Sequence, residues 1–119
     1  METQTVKERA RQRVTAVSSY YWEDKGKTVK VVVELASNGL ELSSVQAKDV
    51  AVVHNEDANA ITLDLKTTDG AKALRLGPLK LAKDIKADEA PRVKVTEKRV
   101  ILRLTKVKAD EKWYDLVKK

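Results

Sequence analysis

Apolar and polar side chains alternate along much of the chain between residues 20 and 105, with a period of two residues. That period is typical of β-strands that bury one face. The clearest strand covers residues 29–35, with Val29, Val31, Val33 and Leu35 on one side. Six shorter segments complete the predicted set of seven: residues 20–23, 50–54, 61–65, 74–76, 93–95 and 100–104.

Turn-forming residues separate these segments. Residues 24–26 are predicted to join the first two strands, and Asp69-Gly70 favours a tight hairpin. Gly77-Pro78 is expected to interrupt its strand, because proline has no amide hydrogen to donate. Short strands with brief turns and almost no interior helix predict an all-β fold, a seven-stranded antiparallel β-sandwich.

The segment before the first strand has a helical pattern. Thr5 and Glu8 have the spacing of a capping box at the start of a helix. One narrow apolar stripe follows at helical spacing, formed by Val6, Ala10, Val14 and Val17. We therefore expect residues 1–17 to form a short helical or flexible N-terminal extension, followed by one domain over residues 18–117.

Composition and charge narrow the class of protein. The 119 residues suffice for one domain, and the absence of cysteine excludes disulfides, thiolate metal sites and cysteine nucleophiles. A net charge of +6 favours acidic partners, whether nucleic acid, an anionic membrane or an acidic protein face. No segment approaches the roughly 20 apolar residues that cross a bilayer. We expect a soluble, monomeric, cytoplasmic protein, with the nucleus as a second compartment.

Residues with catalytic chemistry are few and isolated. His54 is the only histidine, so a site built on two histidines is excluded, and its place beside Val53 indicates a strand end that faces water or a turn. The serines do not lie in a nucleophile-elbow setting, and the four glycines are scattered over predicted turns. We expect no enzyme activity, no cofactor and no metal.

Two tryptophans flank the predicted strands. Trp113 follows the last strand within a polar segment, where an indole usually folds back over an open edge of the core. We expect Trp113 to close the sandwich rather than to bind a partner. For Trp22, in the first strand, a core position and a surface position remain equally open.

Two stretches together resemble the CS domain family. The first is YYWEDKGKTVKVVVEL over residues 20–35, an aromatic pair and a turn followed by a valine-rich strand. The second covers residues 79–116 and ends in KADEKWYDL, which is similar to domains of the calcyclin-binding protein (Siah-interacting protein) type. CS domains are seven-stranded sandwiches related in shape to the α-crystallin domain. They bind other proteins without catalysis, and several are co-chaperones of the ninety-kilodalton heat-shock chaperone.

The resemblance also implies a contact surface. The face that relatives of the Sgt type use for chaperone binding maps onto Tyr21, Glu23, Leu35 and Arg103, with Lys106 nearby. We therefore expect these five residues to bind a protein partner, and the chain to act as a co-chaperone or adaptor.

Three other functions remain open. The chain could serve as an adaptor in ubiquitin-ligase complexes without chaperone binding, as the calcyclin-binding type implies. It could bind nucleic acid through the basic N-terminal segment that carries Lys7, Arg9, Arg11 and Arg13, although its few aromatic residues do not favour base stacking. Self-association or holdase activity ranks last, because a long hydrophobic N-terminal arm is missing from the sequence.

Overall fold

Eight strands form two β-sheets that pack face to face in the computed structural model, which describes residues 14–117. In chain order the strands are β1 (Val14–Ala16), β2 (Tyr21–Asp24), β3 (Thr28–Glu34), β4 (Val50–Asn55), β5 (Ala60–Lys66), β6 (Ala73–Lys80), β7 (Arg92–Val95) and β8 (Arg99–Thr105). Sheet 1 has the order β1-β6-β5-β4, and sheet 2 has the order β2-β3-β8-β7. The helical elements in this range are 3-10 turns at Ala36–Asn38 and Ala47–Asp49, and no helix there is long and apolar enough to cross a membrane.

The core lies between the facing surfaces of the two sheets. In sheet 2 the antiparallel pair β3–β8 forms the centre, and the inward residues Val29, Val31 and Val33 of β3 are fully buried. Sheet 1 contributes an opposing layer of aliphatic side chains: Ile61, Leu63, Leu65, Leu74 and Leu76. Burial of each such side chain contributes about 1.5–3 kcal/mol, so many medium-sized residues together stabilise the sandwich.

The all-β class is confirmed, whereas the strand number and the wholly antiparallel pairing are wrong. Eight strands, not seven, lie within residues 14–117, and β1 runs parallel to β6. The predicted N-terminal helix is also wrong at its end, because Val14–Ala16 is extended and pairs with residues 73–75. A strand forms here because it satisfies the backbone groups along the edge of β6. The rest of the predicted helix lies outside the described residues.

The predicted domain boundary falls inside the sandwich. The Val17 amide donates a hydrogen bond to the Arg75 carbonyl oxygen at 2.9 Å, and the Val17 side chain packs against the core. Asn38 then holds the link between β1 and β2: its side-chain oxygen accepts hydrogen bonds from the Ser18 and Ser19 amides. Residues 14–17 therefore belong to the same folded unit as residues 18–117.

The interruption expected at Gly77-Pro78 is a shift of register within a continuous strand. β6 runs from Ala73 to Lys80 through this dipeptide, whose peptide bond is cis, and its pairing with β5 shifts between Ile61 and Leu63. Gly77 has a φ of +104°, and a Cβ there would lie 2.5 Å from the Ile61 carbonyl oxygen. The backbone of β5 thus approaches too closely for any side chain at this position.

We expect Gly77→Ala to destabilise the domain more than Gly70→Ala does. Both glycines have positive φ, which costs a side-chain-bearing residue about 1–2 kcal/mol, but a Cβ at Gly70 would meet nothing within 4 Å. The collision at Gly77 should add about 1–3 kcal/mol to the loss, measured as the free energy of unfolding in urea. Equal losses in the two variants would contradict the close approach of β5.

Candidate partner-binding surface

The register of sheet 2 places three of the predicted contact residues on its outer face. Glu23 on β2 lies opposite Lys30 on β3, and Lys30 lies opposite Arg103 on β8. Tyr21 lies on the same face of β2, two residues before Glu23. Since neighbouring strands are about 4.8 Å apart, Tyr21, Glu23 and Arg103 fall within one compact patch.

The β2 end of this patch carries an exposed aromatic ring beside an ion pair. Tyr21 is 39% exposed, so its ring is available to another molecule. The Glu23 carboxylate lies 3.1 Å from the Lys25 ammonium, and the hydrogen bond from Lys25 lowers the pKa of Glu23, with the charge of Lys30 as a smaller cause. Glu23 is therefore a fixed negative charge next to an apolar contact point.

Leu35 and Lys106 do not belong to this surface, which corrects the expectation for both. Leu35 is fully buried because it continues the inward alternation of Val31 and Val33 beyond the end of β3. Lys106 is 2% exposed, and it points to the inside of the sandwich just after the end of β8. Neither side chain can reach a partner without unfolding of its surroundings.

Lys106 instead completes a buried ion pair with Asp24 at the end of β2. Its ammonium donates hydrogen bonds to Asp24 Oδ1 at 2.6 Å and to the Glu111 carbonyl oxygen at 2.8 Å. Asp24 Oδ2 accepts a hydrogen bond from the Trp113 amide at 2.7 Å, and Asp24 Oδ1 accepts a second one from the Gly26 amide. We call Asp24, Lys106 and the Trp113 amide the clamp, because together they join the end of β2 and the end of β8 to the C-terminal segment.

The clamp holds Asp24 in its charged form. The hydrogen bond from Lys106 is the largest cause that lowers the pKa of Asp24 to about 2, and the amides of Trp113 and Gly26 lower it further. The Asp24 side chain keeps 16% of its surface exposed, so solvent still moderates the charge. A carboxylate that accepts three hydrogen bonds, one from an ammonium and two from backbone amides, acts as a structural anchor.

The structure resolves the roles of both tryptophans. Trp113 is 2% exposed and packs in the core, which confirms that it closes the sandwich. Its indole Nε1 has no hydrogen-bond partner within residues 14–117, so packing and the backbone bond to Asp24 hold the ring. Trp22 is half-buried and packs against the core from the inner side of β2.

A groove of about 360 Å³ adjoins the patch where β7 and β8 meet the segment after β8. Arg92 on β7 lies opposite Arg103 on β8, and Lys27 and Lys86 line the same groove. Sequence reasoning missed Arg92, Lys27 and Lys86. The predicted strand over residues 93–95 did not include Arg92, and no local signal in the sequence shows which strand lies beside it.

None of the protein-family models matches the chain, and no curated protein matches it.

We expect Asp24→Asn to lower the free energy of unfolding at neutral pH, with a loss that shrinks on acidification. The depressed pKa means that the carboxylate stabilises the fold fully above its unfolded value near 3.8, and that this stabilisation disappears as the pH falls towards 2. Urea unfolding of both proteins at a series of pH values from about 6 to about 2 measures the difference.

The background variant Lys106→Met provides the matched control for this pH series. Because the Lys106 hydrogen bond is the largest cause of the shift, the loss from Asp24→Asn should depend less on pH in that background. A difference that stays constant from neutral to acidic pH in the wild-type background would contradict the clamp.

Proposed function

We propose that the chain is a non-enzymatic protein-interaction module whose contact surface is the outer face of sheet 2. The observation that carries this proposal is the grouping of Tyr21, Glu23 and Arg103 on that face, with each side chain exposed. An exposed aromatic next to charges of both signs is typical of the centre and rim of transient protein interfaces.

The partner class follows from the resemblance to CS domains. That resemblance supports a co-chaperone that binds the ninety-kilodalton heat-shock chaperone, and the all-β sandwich is compatible with it. An adaptor in a ubiquitin-ligase complex would use the same kind of surface with a different partner. The third alternative, nucleic-acid binding through the basic residues 7–13, concerns a segment outside the described residues.

A face of this size supports a modest interface. With Leu35 and Lys106 removed from it, one aromatic ring and a few charges provide the specific contacts. The surface area buried by such an interface lies near the low end of the range for stable complexes. We therefore expect a micromolar dissociation constant, equivalent to about 8 kcal/mol.

NMR titration of the isotope-labelled chain with the N-terminal domain of the ninety-kilodalton heat-shock chaperone tests the proposal. We expect amide shifts on β2, β3 and β8 around Tyr21 and Arg103, and no shifts on the outer face of sheet 1. The double variant Tyr21→Ala/Arg103→Ala should weaken binding by at least about tenfold, because it removes the aromatic anchor and one cation.

Lys66→Ala is the matched control, because Lys66 is an exposed cation on β5 of the other sheet. Its affinity should equal that of the wild type. A well-dispersed spectrum that does not move in the titration would exclude the chaperone as partner. Binding that survives the Tyr21→Ala/Arg103→Ala change in a folded variant would exclude this face.

A further inference from the structure

We infer that the outer face of sheet 2 binds an acidic, extended segment of a protein partner through a row of cations that continues into the adjoining groove. This inference rests on the proposed function and names the chemistry that the same face recognises. The row, called the cationic row below, consists of Lys30, Arg103 and Arg92 on three adjacent strands.

The cationic row is a set of like charges held side by side by the sheet register. Lys30 lies directly opposite Arg103, and Arg103 lies directly opposite Arg92. Side chains paired in this way have Cβ atoms about 4.5–5.5 Å apart, and like charges at that separation destabilise the pair. Within residues 14–117 none of the three forms an ion pair. An anionic ligand laid across the strands would remove this repulsion.

The groove extends the positive charge beyond the row. Its lining includes Arg103 and Arg92 together with Lys27 and Lys86, against the single carboxylate of Glu89. Glu89 lies 3.7 Å from the Lys86 ammonium and so offsets only one of the four cations. Lys106 also borders the groove, but its charge is neutralised by Asp24.

The two arginines of this site favour carboxylates as ligands. A guanidinium donates two parallel hydrogen bonds to one carboxylate, and two arginines on neighbouring strands present two such forks. Thr28 and Thr105 lie opposite each other in the groove wall and offer hydroxyl groups to a peptide backbone. The groove therefore suits an acidic peptide, whose separate carboxylates can bind the arginines while its backbone forms hydrogen bonds with the threonines.

A nucleic acid fits this site less well than an acidic peptide does. No aromatic side chain of the described residues lines the groove, and the exposed Tyr21 ring lies on β2 outside it, so bases in the groove would find no ring on which to stack. Glu23 ends the cationic row on β2, and Glu89 borders the groove. A continuous phosphate backbone would run against both carboxylates, whereas a peptide can place neutral residues beside them.

Fluorescence anisotropy with a short labelled peptide of alternating Glu and Ser tests the inference, with a Gln and Ser peptide of the same length as neutral control. We expect saturable binding of the acidic peptide alone, weakened by added salt. Arg92→Gln/Arg103→Gln should lower the affinity at least about tenfold, because it removes two charge-assisted contacts but keeps long polar side chains.

The matched control is Lys66→Gln/Lys80→Gln, which removes the same charge from exposed positions on sheet 1. Its affinity should stay within about twofold of the wild type, since distant surface charges contribute little. Equal losses in the two double variants would overturn the inference, because they would indicate attraction by net charge alone. The absence of saturable binding in the folded wild type would overturn it too.

Two further results separate this inference from the proposed function. A labelled single-stranded oligonucleotide that binds more tightly than the peptide, with the same sensitivity to Arg92→Gln/Arg103→Gln, would overturn the assignment to an acidic peptide. Chaperone-induced shifts at Tyr21 and Arg103 without any peptide binding would overturn the inference and leave the proposed function intact. Peptide binding that depends on Arg92 and Arg103 without chaperone-induced shifts would support the inference and exclude only that partner.

Discussion

The buried ion pair between Asp24 and Lys106 is the constraint on which the closed end of the sandwich depends. It joins the end of β2 to the end of β8, and through the Trp113 amide it fixes the C-terminal segment beneath them. Desolvation of two charges is costly, so such a pair is tolerated only where the remaining hydrogen-bonding capacity is used. Here the Gly26 amide and the Glu111 carbonyl oxygen meet that need. The hydrogen bond from the Trp113 amide to Asp24 therefore fixes the position at which the Trp113 ring enters the core.

Charge inside the sandwich and charge on its outer face follow opposite patterns. The clamp is internal and matches each charged group with partners of opposite charge or polarity. The cationic row on sheet 2 keeps three neighbouring cations without an ion pair in the described part of the chain, and of the three only Lys30 has a carboxylate, that of Glu23, opposite it. Departures from local optimality of this kind are expected where a surface serves binding rather than folding. The unpaired cations and the exposed Tyr21 therefore both support the outer face of sheet 2 as the binding surface.

Much of the fold was accessible from local pattern, and the errors arose where local pattern was overridden. Alternation located β3 and β8 and placed Leu35 on the inward side. The same residue was expected at a partner surface only because of a resemblance, and burial contradicts that expectation. At residues 14–17 a helical stripe was predicted, but pairing with the edge of β6 made the segment extended. Tertiary pairing regularly outweighs intrinsic preference in such short segments.

The strand segments, their inward faces, the turns and the all-β class are readable in the chain alone, because each depends on residues near one another in sequence. The cationic row and the clamp are not readable there. Arg92, Arg103 and Lys30 become neighbours only through the register of β7, β8 and β3. Asp24 and Lys106 stand 82 positions apart and meet only when β2 and β8 have both paired with β3 in sheet 2. Local periodicity indicates which face of the sheet a side chain lies on, whereas the packing of the whole domain determines which residue lies beside it on the next strand.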